Sequence, residues 1–217
     1  DLQTLRDQVT ELQGHVDDLV TLLEGVVRSG HDIYFNGVNV HIRDGSGTTE
    51  SLTGRGNLIV GYNESRGTGD ARSGAHNIVV GAAHNYISSG CLIAGFHNEA
   101  FKAYSSVTGG RNNRTDALYS SVTGGYANTA TAESSSVSGG SDNQASGRYA
   151  SVAGGRYNLA SGDWSFVGGG GKEKAEYGNE AYSHYSAVLG GLGNKAGDSA
   201  LRDNALSASV SGGMYNR

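Results

Sequence analysis

Apolar positions follow two different periods along this chain. Leu2, Leu5, Val9, Leu12, Val16, Leu19, Leu23 and Val26 are separated by alternating steps of 3 and 4. That is a heptad seam, and it predicts a helix that pairs with helices of other chains. The alternative is a lone amphipathic helix lying on its own domain. Val20, Leu22 and Val27 widen the apolar stripe and favour three strands over two. Gly30, after Arg28 and Ser29, reads as the helix stop. Residues 1–30 are therefore expected to form a coiled-coil stem and the oligomerisation element of the protein.

From about residue 90 onward the apolar period lengthens. Val107, Val122, Val137, Val152 and Val167 recur every 15 residues, each followed by small residues and a Gly-Gly pair. Leu92 takes the preceding place, and Val188 and Val210 continue after steps of 21 and 22. An asparagine stands three residues after the last glycine of each motif: Asn98, Asn113, Asn128, Asn143, Asn158, Asn194 and Asn216, with Glu173 as the exception. Leu58–Gly61 and Ile78–Gly81 read as divergent early coils. A 15-residue period is too short for a helical hairpin repeat or a propeller blade. It predicts one turn of a β-solenoid, with two strands of about five residues and two tight turns. The valines point inward. Gly109, two residues on, is expected to point inward too and to let the walls of a thin roll approach. The asparagines are expected to form a structural ladder, hydrogen-bonded coil to coil. About ten coils span residues 58–217, a rod of roughly 45–50 Å.

Residues 31–57 read as an adaptor, with Val38, Val40 and Ile42 alternating with Asn39 and His41 as a half-buried strand. Intervals at 64–76, 172–184 and 198–208 interrupt the repeat and read as surface loops or short edge strands.

Composition sharpens this picture. Glycine supplies 36 of 217 residues and proline none. Missing proline fits a chain whose N–H groups all bond to the next coil. The glycines follow no triplet period, so a collagen helix is excluded. The net charge is -5, concentrated in the stem, where residues 1–30 carry 6 acids and 2 bases. The nearly neutral body lacks the electrostatic footprint of a nucleic-acid binder. No apolar run reaches membrane-spanning length. The single Cys91 excludes an internal disulfide; placed at the strand position of Ser106, it reads as a buried, inert thiol.

Ser-Val-x-Gly-Gly-x-x-Asn-x-Ala-Ser-Gly, complete at Ser136–Gly147 and Ser151–Gly162, resembles the repeat of YadA-like head domains in trimeric autotransporter adhesins. Gly56–Glu64 resembles a module that precedes such repeats in secreted bacterial surface proteins. The resemblance implies an all-β, left-handed parallel β-roll in a homotrimer, at the cell surface or outside the cell. Two features depart from it. A second glycine replaces the usual isoleucine, and the stem precedes the roll. That order is closer to a phage tail-fibre tip or a secreted fibre subunit.

Chemistry is sparse. Three of the seven histidines stand in His-Asn pairs, His76-Asn77, His84-Asn85 and His97-Asn98. Left-handed helices of the acyltransferase type use a histidine at a subunit boundary, but no carboxylate recurs at a fixed offset here. Three symmetry-related histidines could also hold a metal at a threefold axis. Gly168–Lys172 lacks the strand–loop–helix context of a phosphate loop, and the calcium-binding glycine nonapeptide is absent. Neither a catalytic residue nor a cofactor is expected. Tyr104, Tyr119, Tyr149 and Trp164 share one column, three residues before the valine, and are expected to face outward. Such a row can stack on sugar rings or a protein surface, or be covered by neighbouring chains of the trimer. The function expected is a non-enzymatic structural or adhesive fibre that binds itself and a surface receptor or glycan. The alternative is a filament subunit assembling through open strand edges.

Overall fold

The computed structural model describes residues 1–198 and 207–217. It divides into two compact units, Asp1–His41 and Ile42–Arg217.

In the first unit, a helix spans Leu2–Leu22. Asp1 caps it, its Oδ1 accepting the N–H groups of Gln3 (2.9 Å) and Thr4 (3.0 Å). The helix buries none of its residues. Along the seam, Leu2, Leu5, Val9, Leu12, Val16 and Leu19 remain 50–77% exposed. The expected stem is too long at its C-terminal end. Leu23 is the C-cap, and Val26 lies in a strand. The helix stops at Gly25, whose φ of 87° departs from the helical region; any Cβ there would lie 2.6 Å from Asn36 O. The β-branched pair Val26-Val27 then enters an antiparallel hairpin of Val26–Ser29 with Asp32–Phe35. Gly30 is not a helix stop. With φ 60° it is the first of the two hairpin loop residues, the place where a type II′ turn requires glycine. Val38, Val40 and Ile42 form no strand.

The second unit is a parallel β-solenoid. Among the described residues ten strands form one wall, from Leu58–Val60 through Ser136–Val137 to Ser209–Val210, and eight form the other, from Asn85–Tyr86 to Lys195–Ala196. The ten expected coils thus correspond to the first wall, whereas about eight turns have a strand on both. Val107, Val122, Val137, Val152, Val167, Val188 and Val210 pair in register along the first wall. Opposite them run Ala130, Ala145, Ala160, Ala181 and Ala196. All but the partly buried Val210 are at most 1% exposed, so the core is a line of valine against a line of alanine.

Three details differ from the sequence reading. First, Ile93, not Leu92, pairs with Val107; Ile93 is fully buried and Leu92 is 37% exposed. The step from Ile93 to Val107 is one residue shorter than the repeat, and a one-residue slip exchanges the faces. By the same register Cys91 stands level with Ser105, one place before the strand. Second, most strands are two residues long rather than five. Each coil turns at two residues in left-handed backbone, such as Asn112 (φ 58°) and Tyr119 (φ 59°), and neither can continue a strand. Third, the tight glycine is the second of each pair. A Cβ on Gly139 would meet nothing within 4 Å. On Gly140, at φ 84°, it would collide with Gly155 O and lie 2.6 Å from Asn143 Nδ2.

That glycine makes room for the asparagine ladder. The Asn143 Nδ2 donates to Gly139 O in its own coil (2.9 Å) and Gly155 O in the next (2.8 Å). Its Oδ1 accepts the backbone N–H of Asn158 (3.0 Å). The same pattern runs through Asn98, Asn113, Asn128, Asn158 and Asn194, all at most 1% exposed. In the remaining coil the place falls to Asn179, not Glu173. An insertion carrying a short 3-10 helix, Ala175–Tyr177, carries Glu173 out of the column. The interval read as a loop at 172–184 thus shrinks, because Glu180–Ala181 is already back in the second wall. Within the 198–208 interval, 199–206 lie outside the described residues.

Gly140→Ala is expected to destabilise the solenoid by about 2–4 kcal/mol, from left-handed backbone and overpacking together. Gly139→Ala should change stability by less than ~1 kcal/mol, because its Cβ has space. Denaturant unfolding of both variants checks the contrast.

Candidate functional site

The candidate site is a row of stacked aromatic rings at one corner of the coil. Tyr104, Tyr119, Tyr149 and Trp164 all occupy the residue that turns the chain in left-handed backbone, with φ between 55° and 59°. The backbone N–H groups of Tyr104, Tyr149 and Trp164 are bonded to the preceding coil, as from Tyr149 to Glu133 O (3.0 Å) and from Trp164 to Arg148 O (2.8 Å). Strand-like repetition therefore places the rings one coil apart, facing one another. Tyr104 and Tyr119 stack at 5.9 Å and 10°. Tyr149 and Trp164 stack at 5.5 Å and 12°. Tyr185 continues the row against Trp164 at 5.0 Å and 6°. The sequence reading omitted Tyr185, although it stands three residues before Val188. The insertion between Val167 and Val188 had hidden it.

The four expected rings and Tyr185 are 39–55% exposed, so the row faces outward within this chain. Each stacked contact contributes about 0.5–1.5 kcal/mol beyond area burial. Tyr104 is further held by donating its hydroxyl to Glu50 (3.0 Å), and that bond pushes its pKa up. One coil breaks the row. Ser134 occupies the corner between Tyr119 and Tyr149 with the same left-handed backbone, φ 55°.

The histidines are not gathered into a site. His76 bridges the loop at 44–49, its Nδ1 3.0 Å from Thr49 O and its Nε2 accepting the Asp44 N–H (3.3 Å). Asp44 is the hub of that loop. Hydrogen bonds from the Ser46 hydroxyl, then Ser51 and Thr53, hold its carboxyl far below the usual carboxylate range. His97 Nδ1 lies 2.8 Å from an Arg66 nitrogen, and Arg66 also pairs with Glu99. His84 is a member of the ladder itself rather than a neighbour of it. Its Nδ1 accepts the Asn98 N–H (3.2 Å) and its Nε2 faces Val80 O, four residues back (3.1 Å). These are the positions of the asparagine Oδ1 and Nδ2. Burial pushes the His84 pKa down, because a cation there would lose solvation and Nδ1 would lose its lone pair. Cys91 is 3% exposed, and burial raises its pKa, so the thiolate is disfavoured. Among the described residues no three His, Cys, Asp or Glu side chains are grouped to hold a metal. No described helix is long and apolar enough to cross a membrane.

The chain matches no protein-family model and no curated protein.

His84 sets an expected pH dependence. Its folded pKa lies below the ordinary value of 6.5, so the unfolded chain binds the proton more readily. The stability it confers is complete above 6.5 and falls as pH drops from there towards the folded pKa. Melting temperatures of the wild type should decline over that window more than those of His84→Asn, which keeps the ladder without the titrating ring.

Proposed function

We propose that this protein is a non-enzymatic, extracellular structural or adhesive fibre subunit. Three chains would join through the helical stem and present left-handed rolls of roughly 15-residue coils, as the resemblance to YadA-like heads implies. The observation that carries this reading is the helical seam. Six regularly spaced Leu and Val side chains, Leu2 to Leu19, lie 50–77% exposed on a helix that buries no residue within its chain. Exposed apolar area of this regularity is stabilised by a partner helix of the same sequence, because knobs need holes of matching spacing.

The aromatic row supports the adhesive half of the reading. Repetition gives several weak, like contacts along one edge, and three chains multiply them by avidity. Several polar side chains elsewhere are used in holding the backbone, Asn143 and His84 between coils and Asp44 within its loop. Catalysis needs convergent groups with tuned pKa values, and this reading assigns none.

Sedimentation equilibrium tests it. The full chain is expected to sediment at three times its 22.4 kDa mass. Leu5→Asp together with Leu12→Asp should reduce it to one chain while the β signal in circular dichroism persists. A wild-type monomer at micromolar concentration would overturn the trimer. Mass growing without limit would favour the filament alternative.

A further inference from the structure

The break at Ser134 divides the aromatic row into two short stacks. The backbone does not break with it: Ser134, Tyr119 and Tyr149 have φ of 55°, 59° and 58°, and the Ser134 N–H donates to Leu118 O (3.0 Å) as the Tyr149 N–H does to Glu133 O (3.0 Å). Tyr119 and Tyr149 therefore stand two coils apart, and since rings one coil apart in this row lie 5.0–5.9 Å from each other, the gap between them is about 10–12 Å. One ring-sized slot is left between two aromatic faces, with a small hydroxylic side chain as its floor. We propose that this slot is a binding subsite for a single pyranose ring.

Thickness and polarity both point to a sugar. A saturated six-membered ring with axial hydrogens is thicker than a flat aromatic ring, and the gap left by one missing ring of the row accommodates it. The corner is open to solvent, and Ser134 and its exposed chain neighbour Glu133 bring hydrogen-bonding groups to it. Among the described residues the Ser134 hydroxyl has no hydrogen-bond partner and the exposed Glu133 carboxylate has no ion-pair partner. Arg148, by contrast, is committed to Asp163 (3.1 Å). A flat aromatic ligand would satisfy the two faces but leave these groups without partners.

The sandwich also sets stereochemistry. Both faces of the bound ring must be free of axial hydroxyls, because each lies against an aromatic face. Only a pyranose with all its hydroxyls equatorial meets that condition. β-Glucose configuration fits, whereas galactose carries an axial 4-hydroxyl and mannose an axial 2-hydroxyl. The inference rests on the adhesive reading only in requiring that the row stay open to solvent in the assembled protein.

Saturation-transfer NMR on the full chain tests it, with methyl β-D-glucopyranoside, its galacto and manno counterparts, and indole as probes. Transfer is expected to the glucoside, at least fivefold weaker to the other two sugars, and strongest at the ring C–H protons. Ser134→Tyr should complete the aromatic row, preserve or raise the melting temperature, and abolish transfer. Ser134→Ala should retain the stacking and weaken binding. No transfer to the glucoside overturns the subsite, as does binding that survives Ser134→Tyr or a preference for indole. Sedimentation of the same samples separates the two claims. A trimer that binds no sugar refutes the slot and leaves the fibre reading standing; a monomer that binds glucoside does the reverse.

Discussion

The coils of the solenoid depend on a column of buried asparagines, with His84 in one place, whose amides are satisfied from both sides. A buried amide without partners costs several kcal/mol, so the column is stable only as a continuous series. Asn128 shows the complete arrangement: Nδ2 donates to Gly124 O and Gly140 O, and Oδ1 accepts from Asn143 N. This constraint dictates its surroundings. The carbonyl of the next coil must approach the amide closely, which requires the second glycine of each pair. In the regular coils the residue before the asparagine turns sharply, which places Asn112, Asp142 and Tyr157 in left-handed backbone. From Val122 onward the core is then lined mostly by valine and alanine, so polar ladder bonds do much of the work that apolar volume does in thicker domains.

The same rigidity positions the outer corner. Because the ladder holds successive coils in register, side chains outside the core inherit the repeat. Rings at Tyr149, Trp164 and Tyr185 stack as a consequence of the coil spacing. A repeat of this kind presents one chemistry many times along an edge and is poorly suited to assembling different groups around one reacting atom. The fibre reading and the sugar subsite both draw on that property. A departure from the repeat, such as Ser134, is where an individual site can arise.

Much of this was legible in the sequence, for physical reasons. The valine and asparagine columns recur because parallel in-register pairing places like residues on like, and the outward aromatics followed from counting along the coil. What the sequence concealed were local breaks in the count. Ile93 replaced Leu92 because one coil is a residue short, and Asn179 replaced Glu173 because an insertion displaced the column. The helix was overextended through Val26, since a heptad seam continues arithmetically past the glycine that ends the helix. The place of His84 in the ladder was not legible, because its ability to mimic an asparagine rests on the geometry of both ring nitrogens. The role of the second glycine was missed because strand alternation was extended beyond the two residues that are strand.

The central claim is that the asparagine amides hold the coils together from within. Hydrogen exchange of the side-chain amide protons, followed by NMR on the intact protein, tests it most directly. The Nδ2 protons of Asn113, Asn128, Asn143 and Asn158 are expected to exchange only with global unfolding, as slowly as the backbone N–H of Val137. The exposed Gln144 side chain should exchange at the rate of a free amide. Ladder amides that exchange as fast as Gln144 would contradict the account.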